Sequence, residues 1–166
     1  MTDIRERAAR VQLVVFDVDG VFTDGRLYYG TNGEEMKTFH VRDGHGIKLL
    51  LKHGIQAAVI SGRKSTAVTR RMRELGITHV FQGNDDKRPI LEKLLQKLGL
   101  EAQQTACVGD DLADLPIMDA VGLPIAVADA YPEVRMRAQF VTKARGGEGA
   151  VREVCDLILA ARNPNG

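Results

Sequence analysis

The chain has 166 residues, 44% of them hydrophobic and 27% charged, which is ordinary composition for one globular domain and excludes a disordered tail, a collagen-like repeat and a disulfide-rich miniprotein. Lys plus Arg at 23 against Asp plus Glu at 22 leaves a net charge of +1, so no global field draws the chain to nucleic acid or to an anionic membrane. No run approaches the ~18 apolar residues of a spanning helix, and Met1 to Gln12 is charged with no apolar segment and cleavage site behind it; the chain reads as soluble and cytoplasmic.

Taken in order, short β-branched apolar runs alternate with stretches of helical spacing. The runs are Val11 to Phe16, Ala57 to Ile60, His79 to Phe81, Thr105 to Val108, Ile125 to Val127 and Phe140 to Thr142. The helical stretches are Gly46 to His53, Ser65 to Leu75, Lys87 to Leu98, Leu112 to Ala120, Pro132 to Arg137 and Gly149 to Ala161. Strand-then-helix alternation predicts buried parallel strands, and Gly54, Gly76 and Gly99 stand where left-handed helix caps belong. One segment breaks the pattern: between Arg26 and His40, two short runs flank Gly30-Thr31-Asn32-Gly33-Glu34, a hairpin signal. The expected fold is α/β: an open, Rossmann-like three-layer sandwich with a mainly parallel sheet, and a β-hairpin insertion in place of a cap domain. A single domain over 1–166 is expected, with fraying from Arg162 to Gly166. Cys107 and Cys155 lack metal-ligand spacing and read as buried free thiols.

Such a sheet binds ligands at the carboxyl ends of its strands, and the residues there form a pattern. The first strand ends in Asp17-Val18-Asp19-Gly20, two carboxylates on one side of an extended chain. Two anions at a buried strand end raise each other's pKa, so a positive partner is required. The second run ends in Ser61-Gly62-Arg63, either a helix cap or a seat for an anion. The third leads to Lys87 at a helix start, where a cation opposes the helix dipole. The fourth ends in Gly109-Asp110-Asp111-Leu112-Ala113-Asp114, whose three further carboxylates call for a divalent cation; oxygen-only ligation suits Mg2+.

This inventory fits phosphoryl transfer, which needs charge neutralisation and in-line positioning. Asp17 would attack phosphorus to form an aspartyl-phosphate. Asp19 would protonate the leaving alkoxide and then deprotonate the attacking water. Asp17, the Asp19 main-chain carbonyl and Asp110 would hold Mg2+, with Ser61 and Lys87 gripping the phosphoryl oxygens.

The order of these motifs resembles the four motifs of the haloacid dehalogenase superfamily, over about residues 11 to 161. That resemblance implies supporting roles for Asp111 and Asp114 behind the metal and the lysine. Gly30-Thr31-Asn32-Gly33-Glu34-Glu35, Phe39-His40-Val41-Arg42-Asp43-Gly44, Leu75-Gly76-Ile77, Phe81-Gln82-Gly83 and Gly149-Ala150-Val151-Arg152-Glu153 extend the resemblance to the capless branch that comprises the 3-deoxy-D-manno-octulosonate 8-phosphate phosphatase family. The resemblance implies Mg2+-dependent hydrolysis of that ester in lipopolysaccharide biosynthesis, and a homotetramer in which one subunit's hairpin helps close the next subunit's site. It also implies that His40, Val41, Arg42, Asp43, Gly44, Arg63 and Arg71 contact the sugar acid; an arginine fork suits a carboxylate. The family's C-terminal tail reaches an adjacent site, whereas here the chain ends soon after Ala161.

Two other readings stand beside it. A 2-keto-3-deoxy nonulosonate 9-phosphate phosphatase would use the same motifs on a longer sugar. A phosphoacceptor signalling domain uses a similar acid, hydroxyl and lysine set around Mg2+, but places its phosphorylated Asp after the third strand, where this chain has Gln82-Gly83. A nucleotide-binding loop fails on glycine spacing at Gly62-Arg63-Lys64-Ser65, and a calcium loop at Asp17 fails because Val21 and Phe22 stand where a ligand and a glycine are needed.

Overall fold

The computed structural model describes residues 3–163; of the tail expected to fray, residues 164–166 lie outside the described residues. Six strands form one sheet: β1 (Leu13–Phe16), β4 (Gln56–Ser61), β5 (His79–Gln82), β6 (Thr105–Gly109), β7 (Leu123–Ala126) and β8 (Phe140–Val141). Their order is β5-β4-β1-β6-β7-β8, and every neighbouring pair is parallel. Strands β2 (Tyr28–Tyr29) and β3 (Glu35–Met36) form the separate antiparallel hairpin.

Helices cover both faces. On one, α1 (Ile4–Arg10), α2 (Val41–Lys52), α3 (Thr66–Leu75) and α7 (Ala150–Arg162) pack together; on the other lie α4 (Arg88–Leu98), α5 (Leu115–Met118) and α6 (Pro132–Arg137). The chain reverses its direction of travel across the sheet after β5, and right-handed crossovers then require the change of face. Strands β1, β4, β6 and β7 are buried almost throughout, as expected where both faces are covered. Phe16 and Phe22 meet in the core with ring centroids 5.2 Å apart, which anchors both ends of the turn carrying Asp17 and Asp19. Cys107 and Cys155 are buried and unpaired. Among the described residues, no helix is long and apolar enough to cross a membrane.

The expected strands and helices are present, with three differences. Helix α1 was not anticipated: seven residues are too few for a helix to persist alone, and its support is tertiary, from buried Ala8 and an Arg7 guanidinium bonded to the Gly122 carbonyl. Helix α2 starts at Val41 and not at Gly46. Two glycines near its start weaken helix propensity, yet they permit close packing: a Cβ on Gly44 would collide with the Arg71 guanidinium, and one on Gly46 would lie 3.1 Å from Cys155. The stretch Leu112 to Ala120 is a 3-10 turn, Leu112–Asp114, followed by the short α5.

Candidate active site

The switch in strand order brackets β1, with β4 on one side and β6 on the other, so the residues following these strands converge. Asp17 continues the β1 ladder by donating its amide to the Val108 carbonyl, and the chain then folds over, with the Val18 carbonyl accepting from the amides of Val21, Phe22 and Thr23. Gly20 has φ +88°, and a Cβ there would collide with the Asp110 carboxylate. Only glycine gives both the left-handed backbone and the room for Asp110.

Three carboxylates, from Asp17, Asp110 and Asp114, present oxygens within 4.8 Å of one another. The Lys87 ammonium, 3% exposed, sits 3.0 Å from Asp17 and 2.7 Å from Asp114. Burial, reinforced by the Asp114 carboxylate, pushes Asp17 up to about 6. Burial together with Asp17 and Asp114 pushes Asp110 up to about 9. For Lys87, burial works against the charged form, but the carboxylates of Asp114 and Asp17 outweigh it and its pKa is raised. One lysine therefore leaves the acids undercompensated, and Asp110 Oδ1 is buried with no hydrogen-bond partner among the described residues. Asp114 also accepts from the Asp110 and Asp111 amides, which fixes the loop after β6, while Asp111 caps its own turn at the Leu112 amide.

A cavity of about 330 Å³ opens over this floor and is lined by Asp17, Asp19, Ser61, Lys87, Asp110, Asp111 and Arg63, among others. Ser61 is 2% exposed at the end of β4, and Gly62 and Arg63 follow it. Helix α3 begins later, with Ser65 as its cap, so Ser61 is not a helix cap.

The remaining expected sugar contacts lie elsewhere in this chain. His40 caps α2 by accepting from the Arg42 amide, Val41 and Arg42 are exposed, and none of these lines the cavity. Asp43 is 1% exposed, and its Oδ1 accepts from the Arg152 amide in the first turn of α7. It therefore ties α2 to α7, and burial raises its pKa. Gly44, also buried, faces Arg71, and the Arg71 guanidinium reaches Glu74 and lies 6.0 Å from the Phe39 ring centroid. Within one chain, neither Asp43 nor Gly44 is placed to touch a ligand over Asp17.

Residues that sequence reasoning missed come from the hairpin, which folds onto its own chain's site. The Lys37 ammonium lies 2.5 Å from Asp19 Oδ1 and 3.1 Å from Glu35 Oε1. Arg63 lies 2.9 Å from Glu35 Oε2 and 3.8 Å from Asp19 Oδ2, and its guanidinium also donates to the Tyr29 hydroxyl. These four groups close a ring of alternating charge at the cavity mouth, and Lys37 and Arg63 hold Glu35 below its ordinary pKa. The available signal was the spacing Glu35-x-Lys37, opposite charges on one side of an extended strand, the same i, i+2 geometry as Asp17-x-Asp19.

Residues 77–154 match the family of haloacid dehalogenase-like hydrolases. The 3-deoxy-D-manno-octulosonate 8-phosphate phosphatase of Escherichia coli (strain K12) is 50% identical over 160 residues, covering 96% of this chain and 85% of that protein. The crystal structure of the corresponding phosphatase from Yersinia pestis aligns with TM-score 0.96 at 49% identity, over 98% of this chain and 88% of that one. The Moraxella catarrhalis enzyme, solved with a magnesium ion, a phosphate ion and a KDO molecule, aligns with TM-score 0.96 at 44% identity over 98% and 94%.

Proposed function

The chain belongs to the 3-deoxy-D-manno-octulosonate 8-phosphate phosphatase family of haloacid dehalogenase-like hydrolases, and from that premise we propose that it hydrolyses 3-deoxy-D-manno-octulosonate 8-phosphate to the free sugar acid and phosphate. The observation that carries the reading is the floor of the cavity: acids crowded beyond what Lys87 compensates, at the switch point of a parallel sheet, beneath an open space of about 330 Å³.

The donor set fits Mg2+. It is all oxygen, the orphaned Asp110 Oδ1 supplies a vacant ligand atom, and the raised pKa values of Asp17 and Asp110 register uncompensated negative charge. Asp17, Asp110 and the Asp19 main-chain carbonyl would hold the ion, which when bound neutralises phosphoryl oxygens and the acids around them. Asp114, tied to Lys87 and to the β6 loop, supports the arrangement.

Asp17 attacks phosphorus as the bond to the sugar oxygen breaks, and Asp19 delivers a proton to that oxygen. Asp19, now a carboxylate, takes a proton from the water that attacks the aspartyl-phosphate, so phosphate leaves and Asp17 is regenerated. Ser61 and Lys87 grip the non-bridging oxygens, and Arg63, which lines the cavity, pairs with the sugar carboxylate in this reading. The reading places the reaction in lipopolysaccharide biosynthesis, as for the family the chain resembles. It also takes the chain as a homotetramer, supported by the apolar side chains Leu27, Tyr28, Tyr29, Met36 and Val41, which lie exposed on and beside the hairpin.

The test is phosphate release from the octulosonate 8-phosphate, the nonulosonate 9-phosphate and p-nitrophenyl phosphate, each with Mg2+ or with chelator. Mg2+-dependent turnover that favours the octulosonate ester is expected; equal rates on all three would remove the substrate assignment, and turnover unaffected by chelator would remove the metal.

A further inference from the structure

The acids at the sheet edge fall into two groups. Asp17, Asp110 and Asp114 crowd around one another, whereas Asp19 lines the same cavity but is held from the opposite side, by the hairpin. The Lys37 side chain that holds it is only 1% exposed. A buried ammonium is costly unless it is paired, and here both of its ion-pair partners, Asp19 and Glu35, belong to the charged ring. Lysine and carboxylate are thus fixed together. Asp19 Oδ1 is engaged by Lys37 at 2.5 Å. Among the described residues its Oδ2 has the Arg63 guanidinium as ion-pair partner, at 3.8 Å, beyond hydrogen-bond reach, on a residue that lines the cavity.

Resting on the acid/base reading of Asp19 above, we infer that Lys37 is a positioning residue for the phosphatase reaction: it clamps one oxygen of Asp19 so that the other faces the leaving group and, in the second half-reaction, the attacking water. Glu35 braces Lys37 by sharing its ammonium and is itself braced by Arg63. The hairpin is then part of the catalytic apparatus of its own chain, since it leads into the group that aims the acid. Proton transfer depends steeply on placement, and a well-placed acid or base contributes ~10² to 10⁴ in rate. Loosening Asp19 without removing it is expected to cost part of that, about 10- to 100-fold.

A double-mutant cycle in the Mg2+-loaded protein tests this, with 3-deoxy-D-manno-octulosonate 8-phosphate, whose alkoxide leaving group needs the proton, as substrate. Lys37→Met is expected to lower kcat by about 10- to 100-fold with KM within about threefold, and Lys37→Arg, which restores the charge, to recover most of the loss. In an Asp19→Asn background, Lys37→Met is expected to do nothing more, because a residue that acts through another falls silent when that other is gone. Melting curves accompany each variant, and Lys37→Arg carries the comparison if the Met variant folds poorly. Losses that multiply across the cycle would overturn the inference, as would an effect on KM alone or unchanged kcat. If Asp19→Asn itself retained full turnover, the acid/base reading would fall and the inference with it; full loss there with multiplying effects at Lys37 would overturn the inference alone.

Discussion

The floor and the mouth of the cavity are both built from opposed charges, but they are held in place by different means. On the floor, Asp17, Asp110 and Asp114 surround a Lys87 that is 3% exposed, and each hangs from a core strand or from the loop that follows one. At the mouth, Asp19, Lys37, Glu35 and Arg63 form their ring across a hairpin whose strands are two residues each. The floor carries net negative charge that the protein does not neutralise by itself, and the mouth is balanced, two acids against two bases. An unbalanced buried cluster is suited to hold a cation; a balanced and partly exposed one is suited to hold geometry.

Substitutions separate the two. Removing the floor's cation should have the largest effect: Lys87→Met leaves buried acids unpaired, and loss of one partner of a buried pair typically costs ~3–5 kcal/mol. Chemical denaturation of the metal-free protein should show a fall of that order, and phosphate release should be lost with it. An effect as small as that of a surface lysine would break the contrast.

Next in size is the pH dependence of the floor. Asp17 at about 6 and Asp110 at about 9 lie above their ordinary range, so between the unfolded and folded values the native state binds more protons than the unfolded state. The stability they confer is complete only below the ordinary carboxylate value of 3.8 and is progressively lost as the pH rises from there through the folded values. The metal-free protein should therefore melt lower at pH 8.5 than at pH 5.5, by roughly 5 °C or more if the cost is ~2 kcal/mol. Added Mg2+ should remove most of that difference, because it binds the native state. Thermal melts at the two pH values, with Mg2+ and with chelator, would sharpen the comparison; a flat metal-free profile would contradict it.

Asp110→Asn should split function from stability. Mg2+ affinity should fall at least tenfold by calorimetric titration, as for loss of a ligand, while the metal-free protein becomes more stable at pH 8.5, having one charge fewer in the cluster. The smallest effect belongs to the mouth: Glu35→Gln, at a residue whose side chain is 20% exposed, should change the melting temperature by no more than ~2 °C. It should nevertheless lower kcat several-fold through Lys37, measured as phosphate release.

The same division governs what could be read from the sequence. Asp17, Ser61, Lys87 and Asp110 were legible because each follows an apolar run, and a parallel sheet brings the ends of such runs to one edge whatever the details of packing. Asp19 was legible as part of Asp17-x-Asp19, but its partners were not. That Lys37 folds back onto it depends on where the hairpin docks, which neither spacing nor propensity dictates. The start of α2 was hidden for a related reason: Gly44 and Gly46 weaken the helical signal ahead of Ile47, yet tertiary contacts with Arg152 and Arg71 wind Val41 to Gly44 into its first turn and bury the Asp43 carboxylate. Helix α1 escaped notice because its charged residues show little apolar periodicity and its support comes from distant parts of the chain.

The most direct test of the account is phosphate release from 3-deoxy-D-manno-octulosonate 8-phosphate by the wild-type chain and by Asp17→Asn, side by side in saturating Mg2+, with melting curves to show that both are folded. Mg2+-dependent turnover is expected in the first and a loss of at least about 10³-fold in the second, as when a covalent nucleophile is removed. Turnover by a folded Asp17→Asn within tenfold of wild type would contradict it.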